Sequence, residues 1–226
     1  MKTLFKSVST ENTGVYMAKI YLMTMNEAEK LSLDFCLNHF PKRLERAKRF
    51  RFREDYLRCI GAGALLYGIL SVNEDNLVTS ENGKLSDPTI SKSFSISHSG
   101  DYVLLCVDNA ETGADIQLID VKEVKLSKRV CTPDEAEWLK NRDSEDFFTI
   151  WTLKESVMKL TGLGMKLEVR SFSVLPLIER GEMYFKGKRI YSITDTIPGY
   201  SLSYCSLNPL EKTKPAVITA GMFDSE

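Results

Sequence analysis

The chain has 226 residues, enough to bury a full core, and its length allows one domain or two of about 100 residues each. Hydrophobic residues make up 43% and charged residues 27% of the chain, which is ordinary for a soluble globular protein. Because the net charge is only −1, the surface as a whole does not attract polyanions, and any anion site must come from a local basic cluster.

The N-terminal region predicts a strand followed by a helix. Residues 1–10 lack an apolar segment and a cleavage site, and no apolar run approaches the length of a membrane span, so we predict neither a signal peptide nor a membrane span. Residues 15–24 mix β-branched and aromatic side chains, which favours a strand. Asn26 is a candidate N-cap for an amphipathic helix that continues to about residue 38.

The most basic stretch of the chain is 41–58, with eight Lys or Arg residues against three acids. Arg43 and Arg46 lie three positions apart on a predicted helix, and Arg58 lies on the next one, a strongly apolar helix over 54–71. Such a charge run is usually a solvated face. The alternative is a phosphate pocket, because guanidinium groups can donate two parallel hydrogen bonds to phosphate.

A turn-rich loop over 80–88 leads to a predicted hairpin. Residues 94–98 alternate with period two and are followed by a turn and an apolar strand over 102–107. A third strand is predicted over 114–119. One face of the first strand carries Phe94, Ile96 and His98, and the other carries Ser95 and Ser97.

The remainder of the chain predicts two helices and several short strands. Thr132 and Glu135 form a capping-box pattern at the start of one helix, and 147–161 is the other. The predicted strands that follow are 171–175, 183–185, 189–193, 200–205 and 216–222. We therefore predict an α+β fold, divided near 109–113 into an N-terminal half over 1–110 and a C-terminal half over 111–226.

The helix over 147–161 has an apolar stripe at Leu153, Val157 and Leu160, and it is expected to end at the Gly162–Gly164 signal. Glu155 and Lys159 are four residues apart and face away from that stripe. By spacing alone, a solvated ion pair is the more common explanation. Lys154 points about 100° away from the Glu155 face, and Trp151 is typical of core packing.

The five cysteines are widely spaced, contain no CxxC motif and lie mostly among apolar residues, which predicts buried free thiols and a cytoplasmic protein. His39 and His98 are the only histidines, so a histidine-rich zinc site is excluded. Asp115 lies in an otherwise apolar strand, where it is either an edge carboxylate or an oxygen ligand of the kind that Mg²⁺ prefers.

Several motifs together resemble the 4′-phosphopantetheinyl transferases of the larger, monomeric, surfactin-synthetase type. The similarity extends from about residue 15 to 205, nearly the whole chain. The matching segments are the basic stretch 41–58, Gly83-Lys84, Ser95-Ile96-Ser97-His98-Ser99, Gly113-Ala114-Asp115-Ile116 and the run from Trp151 to Lys159. The resemblance implies two similar halves related by a pseudo-twofold, each a small antiparallel sheet packed with helices, with the active site in the cleft between them.

The resemblance also implies an activity: Mg²⁺-dependent transfer of the 4′-phosphopantetheine arm of coenzyme A to a serine of an apo acyl or peptidyl carrier protein, with release of adenosine 3′,5′-bisphosphate. It implies Asp115 and Glu155 as metal ligands. Gln117 is a third candidate ligand, but it stands where many relatives have glutamate, so the site would carry one negative charge fewer. Glu155 is also the expected general base, and Lys159 the cation at the α-phosphate. The residues expected to bind coenzyme A are Arg43, Arg46, Arg58, Lys84, Ser97 and His98.

Two other functions, a hydrolase and a non-catalytic binding module, agree less well with the sequence. A Ser/His/Asp hydrolase is rejected, because the chain lacks a GxSxG motif and adjacent Ser97 and His98 point to opposite faces of a strand. The alternative is a non-catalytic nucleotide- or nucleic-acid-binding module that uses 41–58. Such a module would have no need for Asp115 or Glu155, so we expect no nucleic-acid partner. A basic segment over 120–135 is either an ordinary solvated loop or part of the surface that docks an acidic carrier protein.

Overall fold

The computed structural model describes residues 18–223 of the chain. The prediction made for residues 1–10, and residues 15–17 of the first predicted strand, lie outside the described residues. The helices are α1 (Met25–Glu29), α2 (Leu33–His39), α3 (Pro41–Ala47), α4 (Arg53–Leu70), α5 (Ser127–Val130), α6 (Pro133–Trp138), α7 (Ser144–Thr161) and α8 (Leu175–Arg180). The strands are β1 (Lys19–Thr24), β2 (Val78–Thr79), β3 (Leu85–Ser86), β4 (Ser93–Ser99), β5 (Tyr102–Asp108), β6 (Thr112–Leu118), β7 (Glu182–Phe185), β8 (Lys188–Ile197), β9 (Tyr200–Ser206) and β10 (Ala216–Val217).

The strands form two four-stranded sheets and a small β2–β3 hairpin. The first sheet has the order β10-β1-β5-β4 and the second has the order β6-β9-β8-β7. In each sheet an opening strand pairs antiparallel with the second strand of a hairpin: β1 with β5 of the β4–β5 hairpin, and β6 with β9 of the β8–β9 hairpin. Helices separate the opening strand from its hairpin in both cases. The protein is therefore a mixed α+β fold with small, mainly antiparallel sheets, as predicted.

Three apolar clusters stabilise this arrangement. Helices α2–α4 pack on one face of the first sheet, and α7 packs on one face of the second. A third cluster fills the space between the sheets. It is built from alternate residues of the strands, which point to the opposite face from the residues packed against the helices. Leu104 of β5 and Leu202 of β9 are both fully buried in this third cluster. The two sheets are thus packed on each other through a shared core.

Three predicted elements differ from the structure. The single helix predicted from Asn26 is two short helices, because Thr24 caps α1 and Ser32 starts a new helix by accepting a hydrogen bond from Phe35 N. The strand predicted over 171–175 is irregular and leads into α8, whose second residue is a proline. Within 216–222, only β10 is extended, and it pairs in parallel with β1 of the first sheet rather than adding a strand to the second.

The remaining helix and strand predictions are confirmed in type. The Thr132–Glu135 capping box is present, and α7 ends at Gly162, which has a positive φ of 66°. The five cysteines are buried and free. Of the helices between residues 18 and 223, none combines the length and apolar character needed to cross a membrane.

Helix α7 lies unusually close to β6, and Gly113 makes this possible. A Cβ at Gly113 would lie 2.0 Å from the backbone oxygen of Ser156 and 2.4 Å from the backbone nitrogen of Leu160. Ser156 and Thr152, on the same side of α7, hydrogen-bond to β9 at Ser203. The absence of a side chain at Gly113 therefore sets how closely α7 approaches the sheet, and with it the position of every functional residue on the helix.

Candidate active site

A cavity of about 950 Å³ is lined by residues from both sheets and from the helices that pack on them. It extends from α3 and α4, past β4, to β6 and α7. All ten residues that the sequence singled out line this cavity: Arg43, Arg46, Arg58, Lys84, Ser97, His98, Asp115, Gln117, Glu155 and Lys159. Residues more than 100 positions apart in sequence are thus brought to one space.

Asp115 lies at the centre of the polar network on the β6 side of the cavity. Its side chain is nearly inaccessible to solvent, and Oδ1 accepts hydrogen bonds from Ser97 Oγ at 2.5 Å and from Lys159 Nζ at 2.6 Å. Its Oδ2 accepts a hydrogen bond from Gln117 Nε2 at 3.0 Å. Lys159 also donates to the carbonyl oxygen of Ala114 at 3.1 Å. A buried carboxylate needs such compensation, and here a cation and two polar side chains provide it.

Glu155 faces the same space from α7, one helical turn before Lys159. Burial raises the pKa of Glu155 above its ordinary value, the negative charge of Asp115 raises it further, and Lys159 opposes the shift. The apolar stripe of α7, including Leu153 and Val157, is fully buried on the opposite side, as predicted. The core packing of α7 therefore holds Glu155 and Lys159 against the cavity.

Asp115 and Glu155 suit a hard divalent cation. Both are carboxylates that face each other closely enough for the charge of Asp115 to raise the pKa of Glu155, and a cation between them would relieve this repulsion. Residues 18–223 contain no group of three or more His, Cys, Asp or Glu side chains that could hold a metal ion. Gln117 presents its amide nitrogen, not its oxygen, to Asp115.

The basic end of the cavity is built on α3 and α4. Glu74 accepts hydrogen bonds from the backbone N–H groups of Lys42 and Arg43, which fixes the N-terminus of α3. Gly63 of α4 leaves room for the aliphatic part of Arg43, because a Cβ there would lie 2.9 Å from Arg43 Cδ. The Nε of Arg43 is buried and has no hydrogen-bond partner among the described residues. Arg43 and Arg46 both line this end of the cavity.

Arg58 and His98 lie between the basic end and the carboxylates. Arg58 donates to Gly100 O at 2.9 Å and to Asp55 Oδ1 at 2.9 Å, which fixes its guanidinium beside the β4–β5 turn. His98 is open to the cavity, yet the surrounding protein and the cations Arg58 and Lys159 lower its pKa below the ordinary imidazole value. At neutral pH, His98 is therefore a neutral hydrogen-bonding group rather than a cation.

Lys84 reaches the cavity from the loop between β2 and β3, but its ammonium group contacts the end of α7. It pairs with Glu111 and donates to Leu160 O at 3.1 Å. Asn82, which the sequence analysis did not select, donates from Nδ2 to Gly162 O at 2.9 Å. The loop thus satisfies two carbonyl groups at the C-terminus of α7. The Asn-Gly-Lys turn was visible in the sequence, but its docking partner was not.

Lys154 is the residue whose surroundings the sequence analysis did not anticipate. It is completely buried, forms an ion pair with Glu135 at 3.0 Å, and donates to Val169 O at 2.8 Å and Phe172 O at 2.6 Å. Burial lowers the pKa of Lys154, and Glu135 opposes that shift. Lys154 therefore ties α7 to α6 and to the segment before α8, and it does not line the cavity.

The chain is similar in sequence to a group of known proteins. Residues 111–205 match the family model of the 4′-phosphopantetheinyl transferase superfamily. The chain is 30% identical over 196 residues to 4′-phosphopantetheinyl transferase psf-1 of Bacillus pumilus, covering 80% of this chain and 83% of that protein. It is 28% identical over 212 residues to 4′-phosphopantetheinyl transferase Sfp of Bacillus subtilis (strain 168), covering 87% and 92%. It is also 25% identical over 203 residues to 4′-phosphopantetheinyl transferase gsp of Aneurinibacillus migulanus, covering 83% and 85%.

Proposed function

Because the chain belongs to the 4′-phosphopantetheinyl transferase superfamily, we propose that it transfers the 4′-phosphopantetheine arm of coenzyme A to a serine of an apo acyl or peptidyl carrier protein. The observation that carries this proposal is the single cavity that joins a basic cluster on α3 and α4 to Asp115, Glu155 and Lys159. Coenzyme A has phosphates at two places, and the cavity has cations at two places.

We place the active site in a cleft between two halves, 1–110 and 111–226, related by a pseudo-twofold. The repeated topology supports this, since each main sheet has an opening strand, then helices, then a hairpin whose second strand pairs with the opening strand. Strand β10 comes from the end of the chain and pairs with β1, so the C-terminal half also contributes to the first sheet. Each half brings one kind of chemistry to the cleft.

The first half binds the nucleotide end of coenzyme A in this proposal. Arg43 and Arg46 would contact the 3′-phosphate, since both line the cavity and a guanidinium group can donate two parallel hydrogen bonds to phosphate. Arg58 and Ser97 line the same path, and His98 adds a neutral hydrogen-bonding group. Lys84 holds α7 through Glu111 and Leu160 O, and its ammonium group, which has three donors, would also contact a phosphate in the cavity.

The second half performs the transfer. The serine hydroxyl of the carrier attacks the phosphorus that bears the pantetheine arm, and the bond from that phosphorus to the bridging oxygen breaks. Adenosine 3′,5′-bisphosphate leaves, and Glu155 takes the proton of the hydroxyl. Without a bound cation, burial and the charge of Asp115 raise the pKa of Glu155 above its ordinary value. Lys159 would place its ammonium group beside the α-phosphate, where negative charge develops.

Asp115 and Glu155 would hold Mg²⁺, which when bound supplies charge neutralisation at the pyrophosphate. Lys159 occupies the Oδ1 side of Asp115 in the structure, at 2.6 Å. It therefore compensates the buried carboxylate until substrate phosphate competes for its ammonium group. Gln117 would orient Asp115 through Oδ2 rather than ligate the metal itself.

The carrier protein would dock beside the end of β6. Leu118 and Val121 are exposed there, immediately after Gln117 of the cavity. The segment 120–135 that follows carries Lys122, Lys125, Lys128 and Arg129. Apolar side chains flanked by cations suit an acidic protein surface. We propose that the enzyme binds no nucleic acid, since Arg43 and Arg46 line the cavity that contains the carboxylates. We also propose that it acts as a monomer, as the family resemblance implies.

The experiment is incubation of the protein with coenzyme A, Mg²⁺ and apo carrier proteins, followed by intact mass spectrometry of the carrier. The proposal predicts a mass increase of one phosphopantetheine arm, and a carrier whose acceptor serine is replaced by alanine is the control. If no acyl or peptidyl carrier in a varied panel gains the arm, the proposal is wrong. The same panel shows whether fatty acid, polyketide or peptide carriers are preferred.

A further inference from the structure

Four serines alternate along β4, and the proposed chemistry leaves most of them unexplained. Their period of two places their side chains on one face, opposite to Phe94 and His98. That face lies against β6, the edge strand of the second sheet. The contacts are Thr112 N to Ser93 Oγ at 3.3 Å, Ala114 N to Ser95 Oγ at 3.0 Å and Leu118 N to Ser99 Oγ at 2.9 Å.

These three contacts share one register, since each joins a serine to the residue 19 positions later. Strand β6 pairs with β9 on its other side, so these N–H groups point outward from the edge of the second sheet. The contact at Ala114 N is buried, and a buried N–H without an acceptor is costly. The serine hydroxyls accept these hydrogen bonds in place of a neighbouring backbone, and a slip of β6 would break all three together.

Ser97 is the exception in this series. The same register would direct it to residue 116, but its hydroxyl instead donates to Asp115 Oδ1 at 2.5 Å, with both side chains buried. Ser95 and Ser97 are almost equally inaccessible, at 7% and 6% exposure. The two residues therefore differ mainly in partner: a backbone N–H for Ser95 and a carboxylate for Ser97.

We propose that the serine face of β4 is a hydrogen-bonded seam that fixes β6 against the first sheet, and that Ser97 is the positioning residue for Asp115. The seam stands on the contacts alone, whereas the consequence for metal binding rests on the proposed function. Ser97 and Lys159 hold Oδ1 while Gln117 holds Oδ2, so the orientation of the carboxylate is fixed before a cation arrives. Ser97 thus acts through Asp115 rather than by contacting coenzyme A.

The first test is a double-mutant cycle on urea unfolding, with Ser97→Ala, Asp115→Asn and the double variant. The factor by which Ser97→Ala changes the unfolding equilibrium constant should be about five times larger in the wild-type background than in the D115N background. Ser95→Ala is the matched control: it should also lower the urea midpoint but act additively with Asp115→Asn. Additive behaviour of Ser97→Ala would overturn the positioning role, and an unchanged midpoint for Ser95→Ala would overturn the seam.

The second test is a Mn²⁺ titration followed by electron paramagnetic resonance. Ser97→Ala should weaken Mn²⁺ binding roughly tenfold, as expected when an outer partner of a metal ligand is lost, while Ser95→Ala leaves it unchanged and Ser97→Thr restores it. Equal affinity in Ser97→Ala and wild type would overturn the positioning role. If Ser97→Ala fails to fold, Ser97→Thr and Ser97→Cys decide, since the weaker thiol donor should bind Mn²⁺ less tightly. A wild type that binds no Mn²⁺ counts against the proposed function, and the unfolding cycle still decides the seam.

Discussion

The substitution Lys154→Met tests whether the lysine next to Glu155 is structural. Lys154 is fully buried, pairs with Glu135 at 3.0 Å and donates to two carbonyl groups. Removing one partner of a buried pair costs about 3–5 kcal/mol, because the other charge stays buried without compensation. Glu135 keeps hydrogen bonds from the backbone nitrogens of Thr132 and Val174, both at 2.8 Å, so we expect the lower end, about 3 kcal/mol.

The assay is urea unfolding together with thermal unfolding. At roughly 2–4 °C per kcal/mol for a chain of this size, the melting temperature should fall by about 6–12 °C. The double variant Lys154→Met/Glu135→Gln should lose less than the sum of the single effects, because no charge then remains buried. Lys140→Met is the control, since Lys140 forms an exposed pair with Glu137 and should cost less than about 1 kcal/mol.

Transfer kinetics separate a structural from a catalytic role for Lys154. Below its melting temperature, the Lys154→Met variant should keep kcat within about threefold of wild type, with an unchanged KM for coenzyme A, since Lys154 does not line the cavity. Stability within about 1 kcal/mol of wild type, combined with a large fall in kcat, would refute the structural assignment.

Three further predictions concern other parts of the site. Gly113→Ala should destabilise the fold by about 3 kcal/mol in urea unfolding and reduce transfer, because its Cβ would meet backbone atoms of α7. Gly221→Ala is the control and should be neutral, because its Cβ would meet nothing within 4 Å. Equal stabilities of the two variants would be evidence against the close approach of α7 to Gly113. In the presence of a chelator, Glu155→Gln should be more stable than wild type at neutral pH. The raised folded pKa of Glu155 contributes stability that is fully present below about pH 4.5 and is lost as the pH rises through that folded pKa. The difference in stability between Glu155→Gln and wild type should therefore disappear in acid. A wild type that is more stable than Glu155→Gln at neutral pH would refute this. Coenzyme A affinity should increase as the pH falls through the lowered pKa of His98, which then gains a proton beside phosphate, and calorimetric titrations should show this slope in wild type but not in His98→Gln.

Local sequence patterns predicted the elements that depend on local physics. The apolar stripe, the Gly162 end and the outward Glu155–Lys159 pair of α7 follow from helical period and capping, and the structure has all three. The alternation along β4 likewise predicted which side chains share a face. That the ten residues meet in one cavity came from the family resemblance, since spacing along the chain alone cannot bring Arg43 to Glu155.

The features that were missed depend on long-range partners. Nothing within α7 reveals that Lys154 is neutralised by Glu135, 19 residues earlier, or that Asn82 caps the far end of the helix. The alternating serines of β4 are typical of an exposed strand face, and only the structure shows that they contact β6. Strand β10 was misassigned because parallel pairing with β1 joins segments almost 200 residues apart, and such pairing leaves no local signal.

In the proposed function, the first half of the protein binds coenzyme A and the second half transfers its phosphopantetheine arm. The most direct measurement is intact-mass analysis of an apo carrier after incubation with Glu155→Gln, with calorimetric binding of coenzyme A measured on the same preparation. We expect coenzyme A affinity, measured without Mg²⁺, to be within about threefold of wild type, and transfer to fall by at least about a hundredfold, the usual effect of losing a general base. Transfer at the wild-type rate by Glu155→Gln would contradict the account.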